Sequence, residues 1–111
     1  MKYLDRAMLH GNAETLVLAI LADRAVHGYE LRKELATRSN EQFQFAFGRL
    51  YPLLRILARR GLVTVRETKS RLNRDCREYA LTAKGATALR VRKQKWQQFS
   101  IAMNRVLARL T

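Results

Sequence analysis

The chain has 111 residues, 48% of them apolar, one cysteine and a formal net charge of +13. That length suits one domain with a real core rather than two, and a lone cysteine, Cys76, rules out a disulfide framework. The longest apolar run, Leu16–Ala22, falls far short of the roughly 20 residues a membrane span needs; Met1-Lys2-Tyr3-Leu4-Asp5-Arg6 lacks the apolar core of a signal peptide, so a cytoplasmic protein is expected.

Residues 13–24 read as a first helix, apolar almost all round and therefore central to the core. Asn12 precedes it as the expected N-cap, its side chain accepting a first-turn N–H. Residues 25–28 read as a tight connection. A second helix covers 28–38, with Leu31 and Leu35 on its buried face and Arg32, Lys33 and Arg38 outside. Gln42-Phe43-Gln44-Phe45 alternates with the period of a half-buried strand. A third helix spans 47–60 on the stripe Leu50, Leu53, Leu54 and Leu57. Gly61 stops it, and Arg59 and Arg60 sit in its last turn, where cations suit the carbonyl end. Pro52 predicts a late start or a bend, since it lacks an N–H and clashes one turn back. Residues 62–66 and 77–81 read as antiparallel strands around a polar loop, 67–75. Thr82 then caps a final helix over 83–110.

That last helix has a seam. Leu89, Trp96, Met103 and Leu110 recur every seven residues, and Phe99 and Val106 follow two of them by three, as a and d positions do; Arg92 fills the remaining d position. So long a helix cannot bury such a seam against three short helices of its own chain. A homodimer through Leu89, Trp96, Phe99, Met103, Val106 and Leu110 is expected.

The charge is regional. Residues 1–41 hold six basic and six acidic side chains, whereas residues 42–111 hold sixteen basic and three acidic ones. The excess falls on the third helix, the hairpin and an acid-free last helix, which is the footprint of a protein that grips a phosphate backbone. The order helix, helix, helix, basic hairpin is that of a winged helix-turn-helix, an α+β but mostly α fold. Residues 1–82 form its DNA-binding part and 83–111 a C-terminal dimerisation helix. A major groove admits one helix, so the face of the third helix opposite its leucines must read bases. Arg49, near its N-terminal end, is the expected guanine contact; Tyr51 and Arg55 share that helix, and Arg59 and Arg60 suit phosphate or solvent. On the hairpin, Lys69, Arg71 and Arg74, flanked by Arg66 and Arg77, suit phosphate or the minor groove. The rival readings are an architectural protein that coats nucleic acid without choosing a sequence, and a protein–protein adaptor. His10 and His27 have no metal-ligand spacing, and no cofactor motif, P-loop or catalytic triad is present, so neither cofactor nor enzyme is expected. His27 reads as a turn or capping residue and Cys76 as a strand residue.

Four segments resemble the PadR family of bacterial transcriptional regulators: His27-Gly28-Tyr29-Glu30-Leu31, Gly48-Arg49-Leu50-Tyr51-Pro52-Leu53-Leu54, Gly61-Leu62-Val63, and Arg77-Glu78-Tyr79-Ala80-Leu81-Thr82-Ala83-Lys84-Gly85. Their order and spacing span nearly the whole chain, and the single last helix is similar to the smaller subfamily. The resemblance implies a dimeric winged-helix repressor of a palindromic operator. It implies that Tyr29 touches DNA phosphate or the recognition helix, and that Pro52 belongs inside its helix. It also implies a small aromatic effector stacked at the level of Trp96, with Arg92 beside it to favour an anion. Two departures stand out: Arg49 where the family usually has Ser or Thr, and Ala46 where a capping Ser is common.

Overall fold

Leucines spaced three and four apart bring three helices onto one apolar centre. In the computed structural model, which describes residues 8–9 and 12–110, these are α1 (Ala13–Asp23), α2 (Gly28–Arg38) and α3 (Phe47–Arg59). Val17, Leu18, Ile20 and Leu21 of α1 meet Leu31 and Leu35 of α2 and Leu50, Leu54 and Leu57 of α3, all buried. Tyr79, Leu62 and Val63 close this core from a small sheet. The sheet holds β1 (Val26–His27), β2 (Val63–Lys69) and β3 (Asp75–Leu81), in the order β1-β3-β2 with both pairings antiparallel. A long helix, α4 (Ala83–Leu107), follows and ends in one 3-10 turn, Ala108–Leu110. This is the expected winged-helix arrangement, mostly helical, and no helix among the described residues is long and apolar enough to cross a membrane.

Four expectations need correction. The hairpin arms are longer than residues 62–66 and 77–81, and the loop correspondingly shorter. Opposite charges face each other along the ladder, Arg66↔Glu78, Glu67↔Arg77 and Lys69↔Asp75, and such pairs favour pairing over loop. The connection 25–28 contains a strand, β1, whose Val26 faces Tyr79. Residues 42–45 form no strand. Asn40 and Glu41 turn the chain with φ of 54° and 66°, and the Glu41 and Asn40 N–H groups return to the Ala36 and Thr37 carbonyls at 2.7 and 3.1 Å. The irregular segment beyond lays Phe45 into the core, with Phe43 packed against it, and Arg32 Nε holds the Phe45 carbonyl at 2.6 Å. The alternation of Phe43 and Phe45 therefore reports burial from a loop. Finally, the Asn12 side chain accepts no cap bond; its Nδ2 donates backwards, to Met8 O at 2.7 Å.

α3 begins at Phe47, well ahead of Pro52, so the proline does not delay it. Its C-terminus is a Schellman turn: Gly61 has φ 75°, the Leu62 N–H reaches Leu57 O at 3.0 Å and the Gly61 N–H reaches Ala58 O at 3.0 Å. The next two carbonyls are taken by the start of α4. Lys84 Nζ donates to Arg60 O at 2.9 Å and Thr82 Oγ1 to Gly61 O at 2.6 Å. Thr82 also caps α4, its Oγ1 accepting the Gly85 N–H at 2.9 Å. A Cβ on Gly85 would collide with the Leu62 carbonyl and come within 2.7 Å of Leu81 Cδ1, whereas one on Gly48 would meet nothing within 4 Å. We therefore expect opposite signs from the same substitution. In urea unfolding, Gly85→Ala should lose about 3 kcal/mol, since backbone cannot yield as a side chain does. Gly48→Ala should gain about 0.5–1 kcal/mol from helix propensity.

Candidate nucleic-acid interface

The outward face of α3 is set by its leucines. With Leu50, Leu54 and Leu57 inside, Arg49, Pro52, Arg55 and Arg59 are exposed. Arg49 has no ion-pair partner among the described residues, so its guanidinium is free to fork onto an acceptor pair. Arg55 leans toward the sheet, lining a small cleft with Tyr51, Val65, Arg77 and Tyr79. Burial pushes the Tyr79 hydroxyl above its usual range, against the pull of the nearby Arg77. At the helix start, Ala46 offers no side-chain cap, and only its carbonyl is engaged, by the Arg49 and Leu50 N–H groups. With alanine at this position no side chain caps the first turn of α3.

Tyr51 crosses the start of α2. A Cβ on Gly28 would lie 2.8 Å from its ring and hydroxyl, so a glycine there gives the tyrosine its seat. Next to it Tyr29, 52% exposed, stacks parallel on the His27 ring with centroids 5.7 Å apart. His27 is the capping residue expected of it. Its backbone N–H donates to Glu30 Oε1 at 3.0 Å, and its Nδ1 lies 3.0 Å from the same oxygen. Its Nε2 meets Thr68 Oγ1 at 2.8 Å, tying α2 to the hairpin. Between these helix starts and the hairpin runs a trough, two adjoining cavities of about 480 and 630 Å³ that share His27, Tyr29, Asp75 and Cys76. Cys76 is the expected strand residue, in β3.

The hairpin sorts its charges. Arg66 pairs with Glu78 at 2.6 Å and Lys69 with Asp75, and Glu67 faces Arg77 across the ladder. All three acids of residues 42–111 are thereby set against cations on the arms. Arg71 and Arg74, in the loop, face no acid. Lys69, expected as a free phosphate clamp, is instead held by a carboxylate.

Residues 17–91 match the transcriptional regulator PadR-like family. The chain belongs to this family. It is 30% identical over 100 residues to Transcriptional regulator YqjI of Escherichia coli (strain K12), an alignment covering 90% of this chain and 45% of that protein. The chain thus spans about half the length of the curated relatives it matches. Among solved structures, a PadR-like transcriptional regulator from Bacillus cereus strain ATCC 14579 is similar with a TM-score of 0.80 at 31% identity, over 91% of this chain and 96% of that one. A PadR family transcription regulator from Clostridium difficile R20291 is similar with a TM-score of 0.78 at 25% identity, over 87% and 99%.

In this PadR-like chain the seam of α4 divides in two. Leu89 is half-buried against its own domain's core. Arg92 reaches Glu14 Oε1 on α1 at 2.7 Å, an oxygen shared with Arg60 at 2.9 Å. Beyond Arg92 the apolar side chains Trp96, Phe99, Met103 and Val106 are exposed, and Leu107 joins them. The Leu110 side chain and His10 lie outside the described residues. Sequence spacing missed Leu107 because the a/d pattern excludes it, although it follows Met103 by one helical turn. Glu14 was missed as well, since nothing in its neighbourhood announces two distant arginines. Trp96 and Phe99 tilt together at 5.8 Å above a groove of about 410 Å³ that includes Arg92 and Lys95. This groove continues into an apolar recess between Leu9, Leu16 and Phe43.

The Glu30 cap predicts an acid limb. Its carboxyl is held below the usual carboxylate range, first by the His27 backbone N–H and against the opposing effect of burial. A depressed folded pKa stabilises above the unfolded value of 4.5 and loses that contribution as pH falls through the folded value. The stability difference between wild type and Glu30→Gln should therefore be full at pH 6 and shrink below pH ~4. A constant difference across thermal melts at both pH values would dismiss the linkage.

Proposed function

We propose that this protein binds double-stranded DNA as a homodimer in the cytoplasm and represses transcription from a palindromic operator. The observation that carries the reading is the juxtaposition of the exposed arginine face of α3 with a hairpin whose unbalanced charge sits at its loop, across a trough lined by Tyr29 and Tyr51. Arg49 reads a guanine edge in the major groove. Arg55 and Tyr51 contact the backbone beside it, Tyr29 a phosphate over the start of α2, and Arg71 and Arg74 the strand beyond. Lys69 has a secondary role, being paired with Asp75. Residues 1–82 act as the DNA-binding part. Residues 83–111 dimerise through Trp96, Phe99, Met103, Val106 and Leu110, with Leu89 supporting from its own core; an a/d seam of this kind meets its copy.

Affinity for a selected duplex should fall steeply with salt, because several phosphates are neutralised per subunit. Arg49→Ala should lose about 1–3 kcal/mol on that duplex and little on bulk DNA. Phe99→Asp should sediment as a monomer, keep its melting temperature and lose the palindrome's advantage over a half-site. Equal losses for Arg49→Ala on every sequence would favour an architectural coat over a sequence reader.

An effector fits the same reading. A flat aromatic anion suits the groove under Trp96 and Phe99, with Lys95 at its rim and Arg92 already committed to Glu14. Trp96 is the chain's single tryptophan, so it reports occupancy directly. Titration with an aromatic carboxylate should quench its fluorescence and weaken duplex binding over the same concentrations. Quenching with unchanged DNA affinity would leave a groove without a regulatory role.

A further inference from the structure

The apex of the hairpin carries an apolar side chain that neither the core nor the seam explains. Leu72 is 75% exposed, more than any other large apolar side chain described. Its loop is stiff. The Ser70 N–H donates to Arg74 O and the Asn73 N–H to Ser70 O, both at 2.9 Å. Ser70 Oγ accepts the Leu72 and Arg74 N–H groups at 3.3 and 3.1 Å, and Asn73 holds φ 59°. This is a three-residue hairpin loop with an asparagine in the left-handed position. These bonds set the Leu72 backbone at the tip of the loop, and the nearby cations Arg71 and Arg74 face no acid on the ladder.

The arms project the apex about 20 Å from the core end of the sheet, at roughly 3.3 Å per residue. A two-stranded ribbon is too broad for a minor groove about 6 Å wide, but the side chains at its apex are not. Arginine is drawn to the negative potential of that groove, and an apolar side chain wedged beside it opens a base step. We propose that Leu72 is a wedge that enters the minor groove flanking the site read by α3 and partly unstacks one base step, with Arg71 and Arg74 gripping either wall. The protein then selects deformable pyrimidine–purine steps at a position where it makes no base hydrogen bond. The proposal rests on the DNA-binding reading above and adds a specificity-determining residue to it.

The test uses the full chain and a duplex chosen from a random pool, with 2-aminopurine placed in turn at each step flanking the core site. Binding should raise fluorescence at one flanking step in wild type. Leu72→Ala should abolish that rise and cut the preference for TA over an A-tract at that step from about tenfold to under twofold. The slope of log affinity against log salt should stay unchanged, because no phosphate contact is lost. Leu72→Lys should steepen the slope without restoring the fluorescence. An unchanged melting temperature establishes that both variants fold. If wild type binds with a steep salt slope but no flanking step brightens, or if Leu72→Ala brightens it equally, the wedge is refuted and DNA binding stands. If wild type binds no duplex, the DNA-binding reading fails with it.

Discussion

The Leu62 carbonyl oxygen and the missing side chain of Gly85 set how the outer parts of this molecule are joined. Within residues 60–62 and 81–85 the end of α3, the base of the hairpin and the start of α4 meet. Val63 pairs with Leu81, the Thr82 N–H bonds the Leu62 carbonyl at 3.2 Å, and Thr82 and Lys84 take the Gly61 and Arg60 carbonyls just past α3. Any Cβ at Gly85 would strike that same carbonyl. The approach is made by backbone atoms, which have no rotamers to exchange, so α4 leaves the domain in one direction. The direction of α4 is thereby tied to the end of α3 without a flexible link between.

Charge is handled in two ways on the two sides of that joint. In the scaffold, acids are placed to join elements: Glu14 receives Arg60 and Arg92, and Asp23 of α1 receives Arg38 of α2 at 2.6 Å. Half-exposed pairs of this kind add little stability singly, but they remove cations from the free surface and fix where the remaining ones lie. On the hairpin the acids cancel the arms and leave the loop positive. A sum over the sequence sees only the excess. The fold leaves it on Arg49, Arg55 and Arg59 of one helix face, on two arginines at the hairpin loop and along the acid-free α4.

The helices were legible because their leucine spacing matches a 3.6-residue period, and the C-terminus of α3 because Gly61 followed that stripe. The hairpin arms were under-read because Glu67, Thr68 and Lys69 are polar on both faces, and a strand stabilised by cross-strand charge pairs leaves no apolar alternation. β1 escaped notice because two residues show no period at all. Residues 42–45 misled for the opposite reason: two phenylalanines alternate with glutamines, yet the left-handed Asn40 and Glu41 direct them onto the core as loop. For the interface, residue type put forward Arg49 and Tyr51, and the family resemblance Tyr29. Neither could tell that Lys69 is held by Asp75, nor that Leu72 stands alone at an apex, since both depend on register across the turn.

Arg92 marks where the exposed part of the α4 seam begins. As a d-position residue it breaks an apolar stripe, which would weaken a coiled coil running the whole length of α4. At that level, however, the stripe still faces the chain's own α1, and the guanidinium is neutralised there by Glu14. One turn later Trp96 and Phe99 are about half exposed, over the groove they line with Asn12 and Thr15. A single heptad repeat is therefore divided in two: its first turns hold α4 to its own domain and its last turns lie exposed. The charged residue marks the changeover, and it lines the groove under Trp96 and Phe99.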